Sequence, residues 1–483
     1  MRNALLNLFT FFILCAGIQA QETTSFFATM DAKDAIQLQL ELPNEISILA
    51  TKNNQSAVFI SEYAALEITE NKMLHGPGYV FKGSQEMAIK ALDKDYLSQQ
   101  NRTVLFTITE DIIVQEALDM VDVINIENEI INLQNYVTRY HTKASATEAV
   151  FDLKDKWEAM ALASGRTDVS VRIFNHTNTN MPSVILTIEG AETPDDYIIV
   201  GGHMDSSNSS NQNNAPGADD NASGIATLIE MTRVLLDMDF VPKKTIEFMA
   251  FAAEEIGLVG SGEVAQEYSN NGINVEAFVQ FDMTNYKGSS NDVYITTDNY
   301  NSASLNGFLF DLMNYYNISG VHQFSYGTTS CNYGCSDHFS WAQEGYDAAF
   351  PFEASFGQHN PYIHSTGDTY SVSGNSIHAA KFAKLGIEFL IESTKSYVLG
   401  STDFLDDNFE MLVNDKTINY RLVNSNDTVL DVQIFDSIGK KIIQKINPQP
   451  SGNISLQSLA NGFYIAVFNF AEHGYLTKKF ILK

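Results

Sequence analysis

Three apolar runs in the middle of the chain each lead into residues that bind metals or transfer protons. The runs are residues 197–201 before His203, residues 246–253 before Glu254 and Glu255, and residues 277–281 before Asp282. Runs of this length and composition indicate buried β-strands. In open parallel sheets ligands bind beyond the carboxyl ends of the strands, so these side chains can converge although they are distant in sequence.

A turn and a helix lie between the first two predicted strands. Residues 216–224 read PGADDNASG, and residues 225–236 have a helix-like apolar pattern. A carboxylate in such a turn can be oriented by the backbone N–H groups of the helix start. Strand-like and helix-like runs continue to alternate over residues 126–399. This alternation predicts an α/β domain with a mostly parallel sheet flanked by helices.

The residue types at the strand ends indicate a metal site. A single His or Asp beside a strand is usually an ordinary loop residue, whereas the convergence of several favours metal binding. Imidazole nitrogens and carboxylate oxygens suit Zn²⁺, and without cysteine among them the site is not a zinc finger. The side chains of Glu254 and Glu255 point apart at a strand end. One can therefore bind metal while the other acts as a general base toward water.

Six sequence blocks in this region resemble those of the secreted bacterial leucyl aminopeptidases, which use two co-catalytic zinc ions. The blocks are GGHMDS (201–206), PGADDNASG (216–224), AFAAEEIGLVGS (250–261), QFDMTNYKG (280–288), CNYGCSDH (331–338) and NPYIHSTGDT (360–369). They follow the order of the family. The resemblance implies a zinc exopeptidase fold with helices on both faces of the sheet.

The same resemblance implies a set of ligands for two Zn²⁺ ions. Asp220 would bridge both ions. His203 and Asp282 would complete one zinc site, and Glu255 and His364 would complete the other. In the mechanism that this implies, one zinc polarises the scissile carbonyl and the pair lowers the pKa of a bridging water.

Three further residues receive catalytic roles by resemblance. Glu254 would act as the general base that passes the proton of the water to the leaving amine. Asp205 would orient the imidazole of His203, a support that metal-binding histidines commonly need. Tyr333 would donate its hydroxyl to the developing oxyanion.

The resemblance also places apolar residues around a pocket for the first side chain of the substrate. These residues are Met283, Phe350, Phe352, Phe356 and Ile363. Ordinary core packing is the alternative for each of them. An apolar pocket stabilises Leu, Met or Phe by burial and disfavours an unpaired Asp or Glu. The predicted activity is therefore hydrolysis of the first peptide bond of peptides with a free amino terminus, preferring apolar residues such as Leu.

Two other function classes stay open. One is a single-zinc cyclase or transferase on the same fold, although such enzymes typically lack part of the second zinc site. The other is a non-catalytic surface binding module, which would have lost a ligand or the base. Ser336, Asp337 and His338 contain the three residue types of a serine hydrolase, but adjacent residues cannot form the relay. We interpret them as a helix start.

Residues 1–20 have the pattern of a secretion signal, with Arg2 before an apolar stretch and small residues near Ala20. Leu14 before Cys15 argues against lipidation there. After removal of the signal only Cys331 and Cys335 remain, and an even pair in an oxidising compartment favours a disulfide. No later run is long enough for a membrane helix.

Residues 21–125 form a predicted α+β propeptide or accessory domain without a cluster of catalytic residue types. Apolar alternation predicts strands at residues 35–42, 57–60 and 104–108. His75 has no partner pattern in the sequence. The predicted domains that follow are the catalytic domain, residues 126–399, and a C-terminal domain, residues 400–483.

The C-terminal domain has the pattern of a β-sandwich. Apolar residues alternate around Val432 and again around Ala466, and residues 436–439 form a turn signal. The segment resembles the sorting domain of the type IX secretion system, in Gly439, in residues 459–464 (LANGFY) and in the final KKFILK. A generic β-sandwich for surface attachment or carbohydrate contact is the alternative.

These features predict a monomeric protein that is secreted, or attached to the cell surface, and that engages peptides and the secretion machinery. The formal net charge of −30 would repel nucleic acid and anionic lipid surfaces.

Overall fold

The computed structural model describes residues 25–72, 75–93, 106–396, 409–414, 416–423, 428–436, 440–446, 451–470 and 475–482. The predicted signal peptide, residues 1–20, and the turn residue Gly439 lie outside the described residues. Among the helices that are described, none combines the length and the apolar character needed to cross a membrane.

The N-terminal unit, residues 25–93, is an antiparallel sheet with helices. Its elements are β1 (Ser25–Asp31), α1 (Ala32–Glu41), β2 (Ile46–Lys52), β3 (Gln55–Ser61), α2 (Glu62–Lys72), β4 (Tyr79–Lys82) and α3 (Gln85–Ala91). The strand order is β2-β3-β1-β4, and every neighbouring pair is antiparallel. The predicted strand at residues 57–60 is confirmed as part of β3, whereas residues 106–108 of the third predicted run are not in a strand.

The predicted strand at residues 35–42 is wrong, because residues 35–41 belong to helix α1. The side chain of Asp31 caps the helix by accepting a 2.8 Å hydrogen bond from the backbone N–H of Lys33. Ala32, Ala35 and Leu38 are buried at helical spacing, while Leu40 is 75% exposed. The alternation of large apolar residues indicated a strand, but the buried stripe runs through the two alanines.

The middle unit, residues 106–396, is built around a six-stranded sheet. The strands of the whole middle unit are β5 (Val169–Phe174), β6 (Ser183–Ile188), β7 (Thr193–His203), β8 (Lys244–Phe251), β9 (Asn274–Gln280), β10 (Val293–Thr296), β11 (Tyr326–Thr329), β12 (Ala348–Ala349) and β13 (Pro351–Phe352). Its helices are α4 (Asp111–Asp119), α5 (Val123–Gln134), α6 (Ala144–Ser164), α7 (Gly224–Asp237), α8 (Val259–Asn270), α9 (Ala303–Tyr316), α10 (His338–Gln343), α11 (Tyr370–Ser373) and α12 (Ile377–Thr394). The predicted helix start at residues 336–338 is the start of α10.

The large sheet is mixed, with the strand order β12-β9-β7-β8-β6-β5. The pairs β12·β9, β9·β7 and β7·β8 are parallel, as the sequence predicted. The pairs β8·β6 and β6·β5 are antiparallel, which corrects the prediction at that edge. A connection of only eight residues joins β5 to β6, and a connection this short suits an antiparallel pair.

Alternate residues of β7 face two cores on opposite sides of the sheet. Ile198 and Val200 belong to the core that includes α7 and α12, while Ile199 belongs to the core that includes α8 and α10. Helix α4, which precedes the predicted boundary at residue 125, and helix α5, which spans it, also contribute buried residues to the first core. Helices therefore cover both faces, and the carboxyl ends of the parallel strands stay available for a site.

The C-terminal unit consists of two small antiparallel sheets with one shared core. Its strands are β14 (Phe409–Asn414), β15 (Thr417–Leu422), β16 (Val429–Asp436), β17 (Lys441–Ile446), β18 (Ser451–Ser455), β19 (Gly462–Phe470) and β20 (Tyr475–Leu482). The sheet orders are β14-β15-β18 and β17-β16-β19-β20. Val432 and Ala466 are fully buried in the shared core, as their alternation predicted. The β-sandwich-like character of this unit is therefore confirmed.

Two glycines of α8 test how closely this helix packs on the end of β8. A Cβ at Gly260 would lie 2.2 Å from the carbonyl oxygen of Ala252, whereas a Cβ at Gly262 would lie 3.9 Å from its nearest neighbour. We expect Gly260→Ala to lower the free energy of unfolding by about 1–3 kcal/mol because the backbone must shift. Gly262→Ala should be neutral or raise it by up to about 1 kcal/mol, since alanine favours helix. Urea unfolding followed by tryptophan fluorescence measures both, and equal midpoints would contradict the packing argument.

Candidate metal centre

The structure brings the five predicted ligands together at the carboxyl ends of β7, β8 and β9. The ligands are His203, Asp220, Glu255, Asp282 and His364. All but His364 are at least 95% buried. His203 ends β7, while the segments that follow β8 and β9 carry Glu255 and Asp282. This is the convergence at strand ends that the sequence predicted.

Asp220 lies between the two imidazoles. Its Oδ1 is 3.0 Å from Nε2 of His203, and its Oδ2 is 3.2 Å from Nε2 of His364. Nε2 of His364 is also 3.0 Å from Oε2 of Glu255, and Nε2 of His203 is 3.3 Å from Oδ1 of Asp282. Each oxygen of Asp220 therefore faces a different group of nitrogen and oxygen donors.

The backbone around Asp220 is held by another carboxylate, that of Asp368. Asp368 accepts hydrogen bonds from the backbone N–H of Asp219 at 3.1 Å and of Asp220 at 3.0 Å. The side-chain oxygens of Asp220 itself accept no hydrogen bond from the described residues. The helix start was expected to orient a carboxylate through its N–H groups. Here those N–H groups bond Asp368 instead, which leaves both Asp220 oxygens free to bind a cation.

Asp205 connects the ends of β7 and β8. Its carboxylate accepts hydrogen bonds from the backbone N–H of Glu254 at 3.0 Å and of Glu255 at 3.2 Å. Nδ1 of His203 lies 3.1 Å from the backbone carbonyl oxygen of Asp205 and 3.5 Å from its carboxylate. Asp205 thus contacts the histidine, as expected, and it also fixes the two glutamates.

Several residues around the ligands have left-handed backbone conformations that β-carbon sterics disfavour. Ala253, Met283 and His364 have φ values of 55°, 56° and 54°. Ala253 precedes Glu254, Met283 follows Asp282, and His364 is itself a predicted ligand. Backbone strain of this kind commonly clusters at functional sites, where it directs side chains toward a common point.

The electrostatics of the cluster favour added positive charge. Burial lowers the pKa of His203, but Asp282 and Glu254 outweigh it and raise that pKa well above its usual value. Burial raises the pKa of Glu254 well above its usual value, and Glu255 acts in the same direction. The imidazole of His203 and the carboxyl group of Glu254 therefore bind protons more readily than usual, as expected where several buried carboxyl groups lie close together.

The donor set fits zinc. Buried atoms without a hydrogen-bond partner among the described residues include both oxygens of Asp220, both oxygens of Glu255 and Nε2 of His364. Unpartnered buried polar atoms are costly unless a ligand satisfies them. Imidazole nitrogens and carboxylate oxygens at one point are typical zinc ligands. Cys331 and Cys335 are not among them, because they form the predicted disulfide.

The five predicted pocket residues form one apolar cluster beside the ligands. Met283, Phe350 and Phe352 are buried in it, and Phe356 and Ile363 pack against it. The disulfide and Tyr333 belong to the same cluster. The rings of Phe350 and Phe352 are 5.3 Å apart, and those of Phe352 and Phe356 are 5.6 Å apart.

Sequence reasoning missed several residues that contact the ligands or hold their segments. Ser336 donates a 2.6 Å hydrogen bond to Oδ2 of Asp282, and Arg139 is buried and donates to the carbonyl oxygens of Pro216 and Gly217 before Asp220. The sequence predicted only a helix start at Ser336, and Arg139 has no local signal. His75, which had no partner pattern, lies at the centre itself, with Nε2 3.0 Å from Oδ2 of Asp282.

Comparisons with known proteins match two segments of the chain. Residues 183–387 match peptidase family M28, and residues 414–483 match a secretion system C-terminal sorting domain. A probable aminopeptidase of Saccharomyces cerevisiae is 32% identical over 293 residues, covering 58% of this chain and 75% of the relative. Leucine aminopeptidase 1 of Coccidioides posadasii is 32% identical over 282 residues, covering 56% of this chain and 70% of the relative.

Solved structures show the same relation. The LapA aminopeptidase of Legionella pneumophila has a TM-score of 0.67 at 29% identity, covering 78% of this chain and 100% of LapA. LapB of the same organism has a TM-score of 0.68 at 26% identity, covering 77% of this chain and 100% of LapB.

The fold and the ligand cluster together define a metal-dependent hydrolase with its centre at the ends of a mixed sheet. The chain belongs to peptidase family M28. The predicted enzyme class, a zinc aminopeptidase, is confirmed. The C-terminal unit is confirmed as a secretion sorting domain, which indicates a secreted or cell-surface protein.

Ser336 offers a test of the support around Asp282. We expect Ser336→Ala to lower the affinity for zinc by about 10- to 100-fold, because residues that hydrogen-bond to a metal ligand hold it in its binding orientation. Ser340→Ala is the control, since the Ser340 hydroxyl lies 2.8 Å from that of Ser261 and contacts no predicted ligand in the described structure. Competition with a zinc-binding dye measures both affinities. Equal affinity in Ser336→Ala and the native chain would show that this contact does not support the ligand.

Proposed function

We propose that this chain uses two zinc ions to remove single apolar residues from the free amino terminus of peptides. The observation that carries the proposal is the position of Asp220, whose two oxygens each face a different imidazole. One carboxylate placed in this way suits a bridge between two cations. His203 and Asp282 would complete one site, and Glu255 and His364 the other.

Bound zinc supplies Lewis-acid polarisation of the scissile carbonyl and lowers the pKa of a nearby water. Glu254 is proposed as the general base that takes the proton of the water and delivers it to the leaving amine. Its Oε1 is buried and has no partner among the described residues, which supports a role toward an external group. Tyr333 is proposed to donate its hydroxyl to the developing oxyanion, and Asp205 to hold His203 and the glutamates in position.

A free α-amine is proposed to lie beside Glu255 and Asp220, where negative charge would stabilise its protonated form or its zinc-bound form. An internal peptide bond offers no such amine. The apolar cluster of Met283, Phe350 and Phe352 supports a pocket for the first side chain of the substrate. Burying a Leu side chain there is favourable by about 1.5–3 kcal/mol, whereas burying an unpaired carboxylate is costly.

The N-terminal unit and the C-terminal sorting domain also have proposed roles. The N-terminal unit is proposed to be a propeptide that assists folding or restrains activity and is later removed. The sorting domain is proposed to engage the secretion machinery, and the enzyme is proposed to act as a monomer. The alternatives of a single-zinc cyclase and a binding module have less support, because all five predicted ligands and the base lie together.

Glu254→Gln tests the proposed base. We expect the variant to bind zinc normally but to lower kcat by about 10²- to 10⁴-fold, because it removes a proton acceptor without removing a ligand. Glu267→Gln on the exposed side of α8 is the matched control and should keep full activity. Asp220→Ala should lose zinc and activity together. Near-normal turnover in Glu254→Gln would remove Glu254 from the mechanism.

A panel of amino-acyl anilides tests the proposed activity and specificity. We expect kcat/KM for Leu to exceed that for Asp and Glu by at least about 100-fold, which corresponds to roughly 3 kcal/mol of differential binding. An anilide of N-acetyl-Leu serves as the control for the free amine and should not be hydrolysed. Equal rates across the panel, or a preference for acidic or blocked substrates, would overturn the proposal.

A further inference from the structure

His75 of the N-terminal unit lies beside the cluster of predicted ligands. The residue is 1% exposed, and one of its ring nitrogens lies within 4.8 Å of ligand atoms of both Asp220 and Asp282. Nε2 is 3.0 Å from Oδ2 of Asp282. Nδ1 has no hydrogen-bond partner among the described residues. A buried imidazole facing two carboxylates is placed as a metal ligand would be.

We propose that in the full-length chain His75 is a ligand of the zinc ion held by His203 and Asp282, and that the N-terminal unit inhibits the enzyme through this bond. The inference rests on the proposed function in one respect, namely that zinc binds this cluster. It goes beyond a general propeptide role, because it names the residue that blocks the site and the ion that this residue binds.

The side chain of His75 also takes space in the proposed substrate pocket. Its ring centre is 5.4 Å from that of Phe352 and 6.0 Å from that of Phe350. Both phenylalanines belong to the cluster proposed to receive the first side chain of the substrate. A Leu side chain and the His75 ring cannot lie in the same space, so the two would compete.

The backbone of His75 also occupies the hydroxyl group of Tyr333. The hydroxyl of Tyr333 donates a hydrogen bond to the carbonyl oxygen of His75. The same hydroxyl is proposed to donate to the oxyanion of the substrate during hydrolysis. One residue of the N-terminal unit therefore contacts a ligand of the metal centre, the apolar pocket and the proposed oxyanion donor at once.

The residues after His75 hold it in this position. Gly76 has a φ of 74°, and a Cβ there would lie 2.5 Å from the carbonyl oxygen of Cys335. Further along, the backbone N–H of Phe81 donates a 2.9 Å hydrogen bond to the carbonyl oxygen of Gly257, just after the two glutamates. The segment is thus fixed against both the disulfide loop and the Glu254 loop, so the position of His75 is built into the interface.

The first experiment counts the imidazoles bound to metal in the full-length chain. The chain is loaded with Co²⁺, and hyperfine-shifted N–H signals of coordinated histidines are recorded by proton NMR. We expect signals from His203, His364 and His75 in the native chain, and the loss of one signal in His75→Ala. His322→Ala is the control, because His322 contacts Asp119 and Lys384 instead and its loss should leave all signals.

The second experiment measures access to the site with leucine hydroxamate, a small chelating probe. We expect His75→Ala to bind it at least about 10-fold more tightly than the native full-length chain, as when the competent form is a tenth or less of the population. The kcat/KM for the Leu anilide should rise by a similar factor. Tighter hydroxamate binding without anilide hydrolysis would support the inference on His75 and overturn the proposed function.

Gly76→Ala provides a second variant in case His75→Ala folds poorly. It keeps the imidazole but adds a Cβ that clashes with Cys335, so it should also lose the His75 signal and bind the probe more tightly. The inference is overturned if His75→Ala keeps every shifted signal and its probe affinity is unchanged. It is equally overturned if the variant loses zinc and activity, since His75 would then be a ligand that the active enzyme needs.

Discussion

The carboxylate of Asp220, between His203 and His364, is the group on which the proposed metal centre depends. Its oxygens lie 3.0 and 3.2 Å from the two imidazoles, and no described residue donates a hydrogen bond to either. Removing one carboxylate from water has an effective penalty of several kcal/mol, and Glu254 and Glu255 are buried beside it. Bound cations can offset this penalty. The site is therefore built so that its groups are satisfied only when positive charge is present.

Asp368 and Arg139 fix the backbone that carries Asp220. Asp368 binds the backbone N–H groups of Asp219 and Asp220, and the guanidinium of Arg139 binds the carbonyl oxygens just before them. Burial lowers the pKa of Arg139 to about 10, so it stays charged at neutral pH. The backbone N–H groups of the loop therefore donate to a carboxyl group, and its backbone carbonyl groups accept from a guanidinium. The side-chain oxygens of Asp220 have no hydrogen-bond partner among the described residues, which supports the proposal that they bind metal.

Sequence reasoning worked where the signal was local and failed where it depended on distant packing. The runs at residues 197–201, 246–253 and 277–281 are almost entirely buried in the structure, so each appears in the sequence as a mostly apolar segment. The prediction of a strand at residues 35–42 failed because Ala35 belongs to the buried stripe of helix α1, but an alanine contributes little to a hydrophobic pattern in the sequence. No local pattern could assign His75, because its partner Asp282 is more than 200 positions away and belongs to another unit.

The covalent connection between His75 and the catalytic unit explains how a single imidazole could inhibit the enzyme. A free imidazole side chain binds a zinc ion weakly, but a ligand on the same chain acts at an effective concentration that can reach the order of millimolar or above. The interface contacts at Gly76 and Phe81 raise it further by fixing the position of the ring. If the chain were cut between the two units, the N-terminal unit would be diluted to its solution concentration. The same bond would then be too weak to compete with a substrate, so inhibition would end without any change in the metal centre itself.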